Sequence, residues 1–408
     1  MTDVIVIGGG PAGMMAAATA SLYGKKTILL EKNGRCGRKL AITGKGRCNV
    51  TNDCDETVFL ENIPTNPKFL NSVIRAFGTQ DTKKWFEERG VLLKTERGNR
   101  VFPKSDCAQD IVEAMLRACK ENGVVFYKKE AESLLCEDGS VQGVLCKDGE
   151  RLFSHSVIVA TGGMSYPLTG STGDGYRFAQ QVGHTIAEIK PSLVPLVSFS
   201  EDCRDMQGLS LRNVKAALWD KSTGKVLFQD LGEMLFTHYG MSGPLILSAS
   251  SHIRIFEPGR YEIRINLKPG LDDKQLDARI LRDFAKYANR DFINALLDLL
   301  PKKMIPIIVY RSRIPAFTKV NNITKEQRRA LFEQIRCFRI PVDGFRPVEE
   351  AIITAGGVAC NEINPRTMES KLCSGLYFAG EVLDVDGYTG GFNLQIAFST
   401  GYAAGISC

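Results

Sequence analysis

VIVIGGGPAG, residues 4–13, sets four consecutive apolar residues against a glycine-rich turn. Val4 to Ile7 are too apolar for a half-exposed strand and read as one buried on both faces. MMAAATASLY (14–23) continues as an alanine-rich helical stretch closed by Gly24, and TILL (27–30) is a second apolar strand that ends on Glu31. Gly8, Gly10 and Gly13 have the G-x-G-x-x-G spacing, Pro11 and Ala12 complete the turn, and Glu31 lies 18 residues beyond Gly13. Strand, turn, helix, strand and acid together define a βαβ unit with a phosphate-binding corner. Gly8 permits the tight turn, Gly10 lets the backbone approach a pyrophosphate, and Gly13 lets helix and strand pack closely. The helix N-terminus then presents its positive end to the phosphates. Glu31 can accept hydrogen bonds from two ribose hydroxyls and would repel a 2′-phosphate.

The rest of the 408 residues is ordinary for a soluble globular protein, at 44% hydrophobic and 24% charged. A net charge of +6 is mild for this length; it suits an anionic ligand without by itself indicating nucleic acid. No apolar run reaches the roughly 20 residues of a membrane span, and the apolar start lacks a basic leader, so a cytoplasmic protein is expected. The twelve cysteines are scattered with no C-x-x-C pair, and four histidines give no zinc spacing, so reduced thiols and no metal are expected.

Outward from the first corner, GRKLAITGKGRCNVTN (37–52) carries Arg38, Lys39, Lys45 and Arg47 with no acidic residue. It is not a P-loop, because Lys39 stands where the early glycine is needed and Gly46 where Ser or Thr is needed. Downstream, VIVATGG (157–163) and LYFAGE (376–381) repeat the pattern of a strand opening into a glycine turn. DVDGYTGGFNLQIAFSTGYAAG then runs through glycines into a final helix from about Leu394. A nicotinamide dehydrogenase has no need of that layout. FAD does, because the long molecule lies across one sheet assembled from both ends of the chain.

The set GGGPAG, GRKLAITGKGRCNVTN, ATGG, LFTHYGMSGP, TAGGV and GLYFAGEVLDVDGYTGGFNLQ resembles, in order and over nearly the whole chain, the HI0933-like family of NAD(P)/FAD-dependent flavoprotein oxidoreductases. That family includes 3-dehydro-bile-acid Δ4,6-reductases and aminoacetone-type oxidases. The resemblance implies an α/β fold: a Rossmann-like FAD-binding domain built from both chain ends, with an inserted barrel-like β subdomain and a helical subdomain. It implies that Gly8, Gly10, Pro11, Ala12, Gly13, Glu31 and Lys32 hold the adenosine and diphosphate. Arg38, Lys39, Gly46, Arg47, Cys48 and Asn49 would follow the diphosphate and ribityl chain toward the flavin ring, the cations neutralising charge. Ala131 would bind adenine through its backbone, and Thr161, Gly162 and Gly163 would close over the pyrophosphate. Gly380, Glu381 and Asp384 would meet the ribityl chain. Gly391, Phe392, Asn393 and Leu394 would put a helix N-terminus at the flavin edge that becomes negative on reduction.

The division expected is 1–190 and 347–408 for the cofactor domain, 191–271 and 305–346 for a β-rich cover, and 272–304 with 324–340 for a helical part. LVPLVSF, AALWD, KVLFQD and RYEIRINL supply the β-rich runs, and Asp272 and Thr324 are the helix-cap candidates. KKMIPIIVYRSRIP, with two proline breaks, reads as a connection or a short helix. LFTHYGMSGP (235–244) is the insertion's chemical candidate. His238 or Tyr239 could donate the proton when hydride adds to a polarised C=C bond. Cys48 is a further catalytic candidate, although a flavin-contact or packing role is favoured.

The leading expectation is reduction of a conjugated C=C bond in a hydrophobic oxo substrate, a 3-dehydro-Δ4,6 bile acid being the sharpest candidate, with NAD(P)H as donor. No second G-x-G-x-x-G exists, so a nicotinamide would bind transiently. An oxygen-using amine oxidase and an RNA-associated flavoprotein are the alternatives. No stable nucleic-acid partner is expected, since Lys325, Arg328 and Arg329 read as a solvated helix face. The oligomeric state is left open.

Overall fold

The computed structural model describes residues 2–408 as two compact units, one of residues up to Ser192 with Val348–Cys408, the other Leu193–Pro347. Each has its own hydrophobic core.

The first unit is organised by a parallel sheet. Val125–Tyr127, Thr27–Leu30, Thr2–Ile7, Arg151–Val159 and Leu376–Phe378 lie side by side in that order, all parallel. The register puts Ile5 between Ile28 and Val157, and Ile158 beside Tyr377. The strand order is that of the first Rossmann half, and the last strand to be made completes it from the far end of the chain. Val4, Val6, Val157 and Phe378 have no exposure, which is why these strands are continuous apolar runs rather than alternating ones. Ala131–Glu137 and Ser140–Cys146 extend the sheet antiparallel from Arg151–Val159.

The helix after the first strand, Pro11–Leu22, starts on proline and buries every residue from Ala12 to Ala20. A helix apolar all round must be covered on more than one side. Its partner is the final helix, Phe392–Ser407, which is also nearly all buried. A Cβ on Gly401 would come within 2.4 Å of the Ala12 carbonyl, and one on Gly405 within 2.5 Å of the Ala16 carbonyl. Two glycines four residues apart therefore lie on two alanines four residues apart, so the two chain ends are joined by backbone-to-backbone packing. Phe398 extends this contact edge-on to Phe86, centroids 5.5 Å apart, worth about 1 kcal/mol beyond its burial. The chain leaves the unit on Ile186–Ser192 and returns on Ile353–Val358, which pair antiparallel.

The second unit contains a seven-stranded antiparallel sheet. Phe338–Val342 forms one edge and Gly344–Phe345, one residue later, the other, so the sheet curls toward a barrel. Leu211, Val214, Ala216 and Leu218 on Ser210–Asp220 face its core, as do Ile263 and Ile265 on Tyr261–Asn266. The helices Asp273–Lys286 and Lys325–Arg336 begin with reciprocal capping boxes at Asp272/Gln275 and Thr324/Gln327. One expectation needs correction. Lys325–Arg336 is helical as expected for 324–340, and Ile305–Ser312 is the short helix that KKMIPIIVYRSRIP allowed, so it is residues 305–323 that do not join the β-rich part, and strands resume at Phe338. Pro306 sits in the first turn of its helix, where proline starts a helix rather than breaking one.

Candidate cofactor and active site

At the first corner the chain turns so sharply that a Cβ on Gly13 would lie 1.9 Å from the Gly8 carbonyl. No side chain fits there. Gly10 has nothing within 4 Å of where its Cβ would point, so its backbone faces open space at the start of the helix. Glu31 is fixed from three sides: Gly9 N–H donates to Oε2 (2.9 Å), and Asn33 donates its N–H (2.7 Å) and Nδ2 (2.9 Å) to Oε1. A carboxylate has about four acceptor directions. Glu31 therefore has room for about one ribose hydroxyl, not the two expected.

Beside this corner lies a small cleft of about 40 Å³ lined by Ile7, Gly8, Leu30, Ala131, Thr161 and Phe178. Its walls are apolar and its mouth carries the Lys32–Asp174 ion pair at 2.5 Å. Thr161 Oγ1 is buried beside Gly175 without a hydrogen-bond partner. Gly162 is left-handed at φ 74°, and Gly163 packs on Thr354. Open glycine backbone, an acid at the second strand and an unsatisfied hydroxyl fit the adenosine and diphosphate of FAD.

The 37–52 loop contains a short helix, Arg38–Ile42, and then three successive left-handed residues, Gly44 (φ 57°), Lys45 (φ 59°) and Gly46 (φ 84°). Its cations do not all point at a ligand. Arg38 bonds Asn33 Oδ1 at 2.8 Å. Lys39 pairs with Glu381 at 2.7 Å and donates to Ser165 Oγ at 2.6 Å. Arg47 lies over the Phe102 ring and binds Glu96 and Asp106, each at 2.5 Å. Two acids already neutralise Arg47, so it does not serve as the free diphosphate cation expected of it.

Cys48 is the thiol of this loop. Its side chain is fully buried, and burial pushes the thiol up to about 12, the Thr43 hydrogen bond offsetting only part. A thiol with that value is no nucleophile at neutral pH. Cys48 packs, and its listing as a catalytic candidate is corrected on that ground. Asn49, with its amide oriented so that Nδ2 donates to the Thr51 and Val101 carbonyls, accepts from Gly391 N–H at 3.0 Å.

That last bond joins the loop to the other end of the chain. Gly391 is left-handed at φ 100°, and a Cβ there would lie 2.3 Å from the Thr51 carbonyl. Asn52 Nδ2 donates to Gly390 O at 3.0 Å, and Thr51 Oγ1 donates to Gln395 Oε1 at 2.6 Å. Asn393 closes its own loop on Gly387, donating at 2.7 Å and accepting at 2.8 Å, and Phe392 packs edge-on to Phe59. The side chains of Asn49, Phe392 and Asn393 thus build the corner rather than face a ligand. The helix leaves the first-turn N–H groups of Phe392, Asn393 and Leu394 without intrahelical acceptors.

Gly380 N–H is held by Thr400 Oγ1 at 2.9 Å and the residue packs on Ala12. Asp384 is tied to Asn66, whose Nδ2 donates to its carbonyl (2.7 Å) and to Oδ2 (3.0 Å). Glu381 is the centre of a cluster the sequence reading did not name. Thr354 N–H (2.8 Å) and Ser165 Oγ (3.0 Å) both donate to its Oε1 while Lys39 holds Oε2. TAGGV was the only signal of Thr354, and nothing local marks Ser165.

In the second unit, His238 and Tyr239 form the turn between Lys225–Thr237 and Gly240–Ser242. His238 is exposed and edge-on to Tyr239, centroids 4.9 Å apart, and the Arg346 guanidinium lies 4.7 Å over the Tyr239 ring. Ser198 N–H donates to the Tyr239 carbonyl at 2.9 Å, which fixes the turn. Among the described residues no cluster of His, Cys, Asp and Glu could hold a metal ion, and no helix is long and apolar enough to cross a membrane.

A parallel sheet completed from both chain ends, with a glycine corner at each, is the Rossmann-type architecture of FAD-binding proteins. The HI0933-like protein Rossmann domain matches residues 2–407, and the chain belongs to that family. It is 31% identical over 413 residues to the 3-dehydro-bile acid delta(4,6)-reductase of Clostridium scindens, covering 99% of this chain and 98% of the relative. It is also 31% identical over 407 residues to the ribosomal RNA dihydrouridine synthase of Escherichia coli, covering 98% and 96%. Among solved structures, the 3-ketosteroid delta1-dehydrogenase of Sterolibacterium denitrificans in complex with 1,4-androstadiene-3,17-dione shares the fold, with a TM-score of 0.52 at 13% identity over 99% of this chain and 98% of that one.

Proposed function

We propose that the protein is an FAD-dependent reductase of C=C bonds conjugated to a carbonyl. The observation that carries this reading is chemical. The two full-length relatives at 31% identity are named for reactions on unlike molecules, a bile acid and a ribosomal RNA, that share one bond type. A 3-oxo-Δ4,6 steroid and the uracil ring of uridine each hold a C=C conjugated to a carbonyl, and each is reduced by hydride at the β-carbon and a proton at the α-carbon. Bound FAD would supply that hydride from its reduced ring. This chain's residues do the rest. The open Gly10 backbone, Thr161 and Glu31 hold the adenosine and diphosphate. Glu381, fixed by Lys39, Ser165 and Thr354, meets the ribityl chain. The N–H groups of Phe392, Asn393 and Leu394 stabilise the negative ring edge. His238 and Tyr239 are the proton-donor candidates.

A hydrophobic 3-oxo-Δ4,6 substrate with NADH or NADPH as donor is the first reading. Uridine in RNA is the second, and one observation favours it. Leu193–Pro347 carries 25 Lys and Arg against 17 Asp and Glu, while the rest of the chain carries 27 against 29. All of the positive charge in excess therefore lies in the inserted unit.

The test is an anaerobic half-reaction series on the flavin-loaded protein. Bleaching by NADH or NADPH followed by reoxidation with a 3-oxo-4,6-diene supports the first reading, and reoxidation by uridine-containing RNA supports the second. Reoxidation by neither, with peroxide formed from an amine in air, would replace both with an amine oxidase. Tyr239→Phe should slow reoxidation by the unsaturated substrate about 100-fold and leave bleaching unchanged if Tyr239 gives the proton. Equal rates in both half-reactions would pass that role to His238.

A further inference from the structure

The stretch 299–325, LLPKKMIPIIVYRSRIPAFTKVNNITK, holds six basic residues and no acidic one. Its centre is the helix Ile305–Ser312, which buries Ile305, Ile307, Ile308, Val309 and Ser312 in the core of the second unit. The opposite side, with the turns before and after it, exposes Lys302, Lys303, Pro306, Tyr310 and Arg313. Spacings of four from 302 to 306 to 310 put Lys302, Pro306 and Tyr310 on one side, with Lys303 and Arg313 in the flanking turns. Arg313 ends the helix at φ 57°, its N–H donating to the Tyr310 carbonyl at 3.1 Å, and Phe317 follows in the next turn. Tyr310 is 83% exposed and Phe317 79% exposed.

Two aromatic rings in water beside cations are not explained by folding, since neither ring contributes to the core. The cations here differ from those first considered. Arg328 pairs with Asp277 at 3.1 Å and Arg329 with Glu333 at 2.5 Å, so both are neutralised within the fold. Arg311 pairs with Asp202, and Lys319 with Asp291 at 2.8 Å. Lys303 donates only to a carbonyl, that of Gln207, at 2.7 Å. Among the described residues no ion pair involves Lys302, Lys303 or Arg313.

We propose that this helix face is a docking surface for single-stranded RNA, with Tyr310 and Phe317 as stacking platforms and Lys302, Lys303 and Arg313 as phosphate contacts. The pairing of exposed rings with unpaired cations matches a strand whose bases are free to stack and whose backbone is anionic. The excess positive charge of the unit supplies the longer-range attraction. This deepens the second functional reading, and it is tested by binding alone, so its failure leaves the reductase reading standing.

The flavin-loaded full chain is titrated into a fluorescein-labelled, unstructured, uridine-rich RNA of about 16 nucleotides, with anisotropy read from 50 to 200 mM salt. Binding should weaken steeply with salt. Tyr310→Ala and Phe317→Ala should each weaken it about ten-fold at unchanged salt slope, while Tyr310→Phe and Phe317→Tyr, which keep the rings, should bind as the parent does. Lys302→Glu and Arg313→Glu should each lower the salt slope by about 0.7. All six should reduce a small enone at the parent rate, which shows them folded. Parent-like RNA binding by the alanine variants overturns the proposal. So does binding to anionic phosphatidylserine vesicles, but not to RNA, that depends on the same residues.

Discussion

In the unit built from the two chain ends, three of the basic residues near the glycine corners are engaged by acids. Lys32 meets Asp174, Lys39 meets Glu381, and Arg47 meets Glu96 and Asp106. In the inserted unit the surface around the helix Ile305–Ser312 shows the reverse: among the described residues Lys302, Lys303 and Arg313 make no ion pair, and the Tyr310 and Phe317 rings face solvent. The difference separates two ways of holding an anion. At the glycine corners the charges serve as internal braces, which leaves backbone N–H groups as the donors for the proposed cofactor. In the insertion the proposed docking face leaves its charge for a ligand. Backbone recognition depends on conformation and charge recognition on ionic strength, so the two regions should fail under different perturbations.

The largest effect is expected at Gly391. Its left-handed φ and the Thr51 carbonyl 2.3 Å from a would-be Cβ leave no room for a side chain. Gly391→Val should purify without bound flavin, read as the ratio of visible to protein absorbance. Full flavin content would mean that the joined chain ends do not form the cofactor site. Next comes a paired comparison at the first corner. Glu31→Ala should weaken FAD binding about 10- to 100-fold, the loss of a charged hydrogen bond together with its brace on Gly9. Arg47→Ala should weaken it less than about three-fold, because Glu96 and Asp106 already hold that cation. Equal losses, measured by flavin-fluorescence quenching, would break the distinction between backbone and charge recognition.

What was legible in the chain follows the same division. The first corner could be read because strand, turn, helix and acid are contiguous, and the caps at Asp272 and Thr324 because a capping box spans four residues. The partners of Lys39 and Arg47 could not. Glu381 lies 342 positions from Lys39, and a cation with an acid beside it has the same sequence signature as one without. The seating of Gly401 and Gly405 on Ala12 and Ala16 was equally invisible, since it depends on two helices from opposite ends meeting. Grouping 305–323 with the β-rich part failed because Pro306 begins a helix rather than breaking one, while the helix expected over 324–340 is present. The exposure of Tyr310 and Phe317 is a tertiary fact: the same residues on a buried face would read identically.

The third expected effect concerns acid. Burial among apolar groups near the Phe228 ring, reinforced by Arg254, lowers His252 to about 4. The unfolded chain, with an ordinary value near 6.5, binds a proton in the interval that the folded unit refuses. Stability present above pH ~6.5 is therefore lost as pH falls toward about 4. Asp220 acts at the next stage. Arg260 at 2.8 Å holds its carboxyl well below the usual carboxylate range, so that contribution is lost only below pH ~4. Both groups belong to the insertion. The two tryptophans, Trp85 and Trp219, fall one in each unit, so Trp85→Phe leaves a reporter in the insertion and Trp219→Phe one in the cofactor unit. Between pH 6.5 and 4 the melting temperature read by Trp219 should fall first, and His252→Gln should flatten that fall. A fall led by Trp85 would place the acid-sensitive element in the cofactor unit instead.

The smallest effect is expected at Cys48, for which a packing or flavin-contact role is favoured over a catalytic one. Neighbouring cations can lower a thiol, but Arg47 is turned to Glu96 and Asp106 and Lys39 to Glu381, so their charge is not delivered to the sulfur. Burial dominates and pushes the thiol up to about 12. Cys48→Ala should keep at least half of the parent turnover and cost about 1 kcal/mol of stability, the loss of one small buried group. Iodoacetamide should leave the folded protein's Cys48 unlabelled, read by peptide mass spectrometry, while labelling exposed Cys107 and Cys136. Rapid labelling with loss of activity would show that the loop opens in solution and that its cations do reach the thiol. Cys48 would then return to the reaction itself, and the 37–52 loop would become a region where charge, rather than backbone, does the recognising.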